Sequence, residues 1–572
     1  MKFGWRHLWV LCVLCGASSC LSLDREAFSI TNYDLNLQIE PEQHRLGVRG
    51  KITLRNDTTT PQKIAVLQIS SSLDWRAVRA GDKMLQFVTQ PYTSDVDHTG
   101  GLSEAIVTLP HEVAPKGTVD LNIAYEGVIL LDATRLTRIG TPEDMAKNSD
   151  WDRIDENFTA LRGAGYVAWY PIATESANLS EGYSLFEVLG RWKVREARPT
   201  IRMQIALPME YPSVPQILLG GMTCRETALV ATNQANQRAT ADCLSQRPDA
   251  PTLLIADYQV LEEPGIEVHY LEGHDAAATN FAESAKTALS LVRDWFKNAG
   301  ERAKIADVPF ANVAPFESGV LLLTPLRSEN SSSAGLTAAH QLTHASFRSF
   351  RPWIEEGLAH FAQALYLEQQ KGRQAALDYM RAHRTALTQV ESSAVGNEDD
   401  NRRSLVSTLN EELYRSKAMC VWWMLRDMIG DAALKRAIAS YKPEQDNDPT
   451  YMPHLIATQT QRDLSWFLDD WLYHDRGLPD FRVESAFSRK ASQDNYLVTL
   501  TIENLGAAGA EVPIKVQFEG GDLSQRVAVR AKTKAIVRVA TPKPPKQIVV
   551  NDGSVPENDL SNNTFKVAAA VQ

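Results

Sequence analysis

Two histidines, His340 and His344, stand four residues apart in a segment of helical character. That spacing sets both imidazoles on one face of a helix, one turn apart, where two ring nitrogens can share one tetrahedral metal ion. Zinc is the usual occupant of such a pair. A second helix is expected after a short break. Pro352 suits its first turn, because the amide it lacks would have no helical partner there. At a rise of about 1.5 Å per residue, the first helix is expected to run to near Ser349 and the second to start near Pro352. If the two pack antiparallel, the rises nearly cancel and Glu356 lies level with the histidines. Two His and one Glu with an open fourth position form the ligand set of a catalytic zinc site.

These residues carry a family resemblance. Trp353, Glu356, Gly357 and Ala359 match the W-x-x-E-G-x-A block that holds the ligand glutamate in gluzincin metallopeptidases, most closely the aminopeptidase N family. The preceding block reads His-Gln-Leu-Thr-His where the family has HExxH. The spacer from Ala345 to Glu355 is shorter than the family's usual one. The resemblance implies one zinc ion per chain, bound by His340, His344 and Glu356. It also implies that Gln341 stands in the position of the general base. A glutamate there takes a proton from the attacking water; a glutamine amide can orient that water but cannot accept the proton. Loss of a general base costs on the order of 10²–10⁴ in rate.

Two further positions follow from the same resemblance. Phe316-Glu317-Ser318-Gly319 lies where the family's edge strand carries G-x-M-E-N, which implies that Glu317 anchors a substrate's free α-amine. Tyr414-Arg415-Ser416-Lys417-Ala418 lies where the family has Y-x-K-G-A, which implies that Tyr414 donates to the oxyanion of the tetrahedral intermediate. The match is partial in both, since Gly, Met and Asn are absent from the first and Ser416 and Lys417 replace Lys and Gly in the second. Glu355 points about 100° around the helix from Glu356 and is not expected to replace the base. His360, one turn after Glu356, is expected to be partly covered by the following helix. Two functions stay open: an aminopeptidase with weak activity on peptides, or an inactive pseudopeptidase that holds peptides or a protein partner.

The elements around these motifs define a multidomain α+β chain. Residues 21–265 are β-rich; stretches such as Tyr33 to Ile39 and Val48 to Leu54 alternate apolar and polar side chains as half-buried strands do. This resembles the saddle-shaped N-terminal β domain of the family. Residues 266–479 are mostly helical, the expected thermolysin-like catalytic domain, and residues 480–572 return to alternating strands that suggest an immunoglobulin-like sandwich. Cys224 and Cys243 flank a turn-rich stretch and are expected to pair in an oxidising compartment; Cys420, within an apolar helix, is expected to be a buried thiol.

Residues 1–20 read as an export signal: Lys2 and Arg6, an apolar run too short to span a bilayer, then small residues before Cys20. Cleavage beside those residues gives a free periplasmic or secreted protein. A lipid on Cys20 gives an anchored one, and that lipid is the expected membrane contact. With 59 Lys+Arg against 70 Asp+Glu, a net charge of -11 and no basic tract, nucleic-acid binding is not expected.

Overall fold

The computed structural model describes residues 23–181, 184–196, 199–208, 215–231, 237–245, 250–296, 301–326, 331–394, 404–492 and 495–567. The export segment with Cys20 lies outside them. The chain divides into two compact units. The first holds residues 1–143, 152–210 and 224–247, and the second residues 144–151, 211–223 and 248–572.

The first unit is built on an eight-stranded mixed sheet. At its centre the strand Phe28–Glu40 pairs antiparallel with Arg45–Asn56 and parallel with Thr200–Pro208. The alternation expected for these strands is present: Tyr33, Leu35, Leu37 and Ile39 are buried. A three-stranded antiparallel sheet is formed by Gln62–Ser70, Gly101–Val113 and Phe87–Thr93. Cys224 and Cys243 form a disulfide, and Cys420 is a buried free thiol.

The second unit carries the helical region and the C-terminal strands. A five-stranded sheet has β1 (Gln259–Glu263), β2 (Ile266–Tyr270), β3 (Ala303–Asp307), β4 (Phe316–Ser318) and β5 (Leu321–Thr324), in the order β1-β2-β3-β5-β4. Strands β2, β3 and β5 run parallel; β4 closes the edge as an antiparallel hairpin with β5, turning at Gly319, whose φ is 55°. The helices are α1 (Asp275–Trp295), α2 (Ser331–Ser346), α3 (Pro352–Lys371), α4 (Arg373–Ala394) and α5 (Ala418–Ile429). Two antiparallel sheets of three and four strands close the chain. One continuous apolar core links the five-stranded sheet, the helices and these last strands, so burial of any one depends on the others. No helix among the described residues is long and apolar enough to cross a membrane.

Helix α2 stops at Ser346 rather than near Ser349. The reason lies ahead of it. Arg351 precedes a proline and is held extended, at φ −107° and ψ 115°, which a helix cannot continue through. The link is tied down by Ser349, whose hydroxyl accepts from the Arg351 amide at 3.1 Å and bonds the Tyr441 hydroxyl at 2.8 Å.

Helices α3 and α5 meet at Gly357. A Cβ there would sit 2.7 Å from the Ala418 Cβ and 3.0 Å from the Trp422 indole nitrogen. The same contact is fastened by Trp353 stacked on Trp422, ring centroids 5.2 Å apart, with the Trp422 indole donating to the Trp353 carbonyl at 3.2 Å. Gly357→Ala is therefore expected to destabilise the fold by about 1–3 kcal/mol, read from urea denaturation. A midpoint equal to that of the wild type would mean that the two helices can separate freely at this point.

Candidate metal centre

Helix α2 presents His340 and His344 from successive turns, both buried, with their Nε2 atoms 3.1 Å apart. Helix α3 supplies Glu356, whose carboxylate oxygens lie 3.9 Å from His340 Nε2 and 3.7 Å from His344 Nε2. The helices run antiparallel. Glu356 near the start of α3 faces the end of α2, while Gln363, two turns on, donates to the carbonyl of Leu336 near the start of α2 at 3.2 Å. This is the arrangement the spacing predicts.

Glu317 on β4 joins the same point. Its Oε1 lies 2.7 Å from His340 Nε2 and 3.1 Å from His344 Nε2, closer than either oxygen of Glu356. One donor atom from each of Glu317, His340, His344 and Glu356 falls within a 4.8 Å cluster. The donor set suits zinc, which takes imidazole nitrogen and carboxylate oxygen in tetrahedral array.

Charge points the same way. Burial would raise the Glu317 carboxyl, but His340 and His344 outweigh it and hold it well below the ordinary carboxylate range. Burial would lower His344, but Glu317, Glu355 and Glu356 raise it well above the ordinary imidazole value. Several carboxylates converging on two imidazoles attract either protons or a cation. A raised imidazole keeps its proton at neutral pH, and a metal must displace that proton to bind. Apparent zinc affinity is thus expected to rise with pH up to the raised range of His344, by about tenfold per pH unit for each proton displaced. Competition titrations against a chelator across that range check the slope, and a flat profile would remove His344 from the ligand set.

Gln341 is buried, and neither its amide nitrogen nor its oxygen has a partner among the described residues. Buried polar atoms of this kind are met by water or by a ligand. Glu355 turns away from the four-atom cluster and instead stands 3.8 Å from His344 Nδ1, on the far side of that ring.

Tyr414 sits in a π-helical turn, Leu413–Lys417, that leads into α5. Burial raises its phenol pKa, with Glu411, Glu356 and Glu317 adding to the rise against Arg415, so it stays a protonated donor. Ser416 and Lys417 have structural partners: Ser416 bonds His383 and Glu412, and Lys417 forms a buried ion pair with Asp475.

Three neighbours were not foreseen as parts of the site. Arg415 reaches back to Glu356, 3.3 Å from Nε to Oε2, and pairs also with Glu411. Its place beside Tyr414 was the only sequence signal. Tyr379 and His383 on α4 cover His360, as expected of the next helix. The hydrogen-bond chain fixes the His360 tautomer. Gln363 gives its amide to Leu336, so its oxygen accepts the Tyr379 proton at 2.7 Å; the phenol oxygen then accepts from His360 Nδ1 at 3.1 Å. His360 Nε2 is left with its lone pair. Burial, helped by His340, Arg415 and His383, depresses the His360 pKa well below its ordinary value.

No protein-family model matches the chain, and no curated protein does. Solved structures do. A crystal structure of an M1 zinc metallopeptidase variant from Deinococcus radiodurans, bound to a Tyr-Ser-Ala substrate, aligns with a TM-score of 0.50. The identity is 17%, over 80% of this chain and 96% of that one. A second structure of the same enzyme variant aligns at 16% identity over 78% and 94%, with a TM-score of 0.49. The first alignment establishes the fold: this chain has the architecture of an M1 zinc metallopeptidase, α+β and multidomain.

Proposed function

We propose that this chain is an exported zinc metallopeptidase-like protein that accepts peptides by their free amino terminus and cleaves them slowly. The observation that carries the reading is the convergence of His340, His344, Glu356 and Glu317 on one point of an M1-type fold. Zinc, when bound there, supplies Lewis-acid polarisation of a peptide carbonyl.

The residues divide the remaining work. His340 and His344 hold the metal through Nε2, and Glu356 holds it through a carboxylate that Arg415 keeps in place. The Glu317 carboxylate is the charge that a peptide α-ammonium meets. Tyr414, kept protonated, donates to developing negative charge on the carbonyl oxygen. Gln341 orients water but takes no proton, which is why turnover is slow. The peptide substrate of the structural neighbour supports the substrate class, and the N-terminal pattern of residues 1–20 supports export.

A second reading is favoured by Gln341 itself: a pseudopeptidase that retains the cleft and binds without hydrolysis. Elemental analysis of the purified protein tests the shared premise. About one zinc per chain is expected in the wild type and none in His344→Ala. A wild type without zinc after loading would remove both the metallopeptidase reading and its chemistry.

A further inference from the structure

We infer that Glu317 is the fourth metal ligand of the resting protein, so that the metal site is closed until this carboxylate is displaced. The inference rests on the zinc site proposed above and goes beyond it, since amine recognition alone requires no contact between Glu317 and the metal-binding atoms.

The distances carry it. Ligand atoms held about 2.0–2.1 Å from a tetrahedral zinc stand roughly 3.3–3.4 Å from one another. The pairs that include a histidine straddle that value: 3.1 Å between the two Nε2 atoms, 2.7 and 3.1 Å from Glu317 Oε1 to them, 3.9 Å from Glu356 Oε2 to His340 and 3.7 Å from Glu356 Oε1 to His344, with one donor atom from each of the four residues within 4.8 Å of the others. The Glu317 carboxylate makes the nearer contacts of the two.

Backbone geometry makes the approach persistent. Glu317 lies opposite Leu322 in the β4–β5 hairpin, and directly opposed residues of an antiparallel pair face the same side. Leu322 is buried in the core shared with α2, so Glu317 is turned toward the helix that bears the histidines. The tight turn at Gly319 fixes the register.

Charge agrees. Glu317 and Glu356 together balance a divalent ion, and Arg415 with Glu411 form a neutral pair beside them. The position that carries the family's base is neutral in Gln341. Four protein ligands without an open position are the pattern of a closed zinc site. The group suited to draw Glu317 away is the ammonium of a peptide amino terminus, which ties opening of the metal to recognition of substrate.

The test compares wild type with Glu317→Gln by two readouts other than turnover. Zinc affinity is measured by competition with a chromophoric chelator. The visible spectrum of the cobalt(II)-loaded protein is recorded during an azide titration. Glu317→Gln is expected to weaken zinc binding by about tenfold or more. It should also gain an azide-dependent spectral shift that the wild type lacks. A zinc Kd within about twofold of wild type, or an azide shift already present in wild type, would overturn the inference. If Glu317→Gln fails to fold, the wild-type azide titration decides alone. Wild type that takes up no metal defeats the proposed zinc site; wild type that takes up zinc but is already open to azide defeats only the ligand role of Glu317.

Discussion

Gln341→Glu is expected to raise turnover of aminoacyl-amide substrates by about 10²–10⁴-fold, the usual worth of a positioned general base. The position is ready for it. Gln341 follows His340 on α2, is buried, and has no protein partner among the described residues for either polar end of its amide. A glutamate is nearly isosteric, so the space it needs is already present. What changes is the capacity to take a proton from the attacking water and deliver it to the leaving amine. Zinc content must stay at its wild-type level for the comparison to hold. Turnover within about threefold of wild type would mean that another element of the catalytic geometry has been lost, and the pseudopeptidase reading would stand.

The second large effect is expected at Tyr414. Removing one donor to a developing oxyanion costs on the order of 10²–10³ in kcat. Tyr414→Phe should lose that much with KM nearly unchanged, because the bond forms fully only in the transition state. The phenol keeps its proton for this role: burial raises its pKa, and Glu411, Glu356 and Glu317 add to the rise. Because a protein without the base is expected to turn over slowly, the comparison is best made in the Gln341→Glu background, where the loss can be followed over the whole range. An equal fall in kcat/KM caused by a higher KM would identify Tyr414 as a substrate-binding residue instead. Unchanged kinetics would leave it as a structural residue of the π-helical turn.

The candidate metal site was legible in the sequence to the extent that its geometry is local. Backbone hydrogen bonding alone fixes 3.6 residues per helical turn, so His340 and His344 had to share a face wherever α2 went. Pro352 announced the start of α3, and Glu356 followed by counting. The alternation of strands such as Phe28–Glu40 was legible for the same reason, since a period of two is a property of the extended backbone. The W-x-x-E-G-x-A block was recognisable as a motif, yet its physical cause was not. Gly357 is small because Ala418 and Trp422, more than sixty residues away, press on it.

Other features waited for the tertiary structure. Glu317 precedes His340 by 23 residues, and nothing in the intervening chain states that a β-hairpin will carry its carboxylate to within 2.7 Å of an imidazole. The same is true of Arg415 meeting Glu356, and of the chain from Leu336 through Gln363 and Tyr379 that sets the tautomer of His360. These depend on the register of an edge strand and on how helices pack, which are properties of the whole core rather than of any segment. The sequence by itself named His340, His344 and Glu356 as candidate ligands and placed Gln341 where the resemblance expects a base. The packing of α2, α3 and the β4–β5 hairpin decided that four candidate donor groups converge, because only folding brings distant carboxylates close to the same two nitrogens.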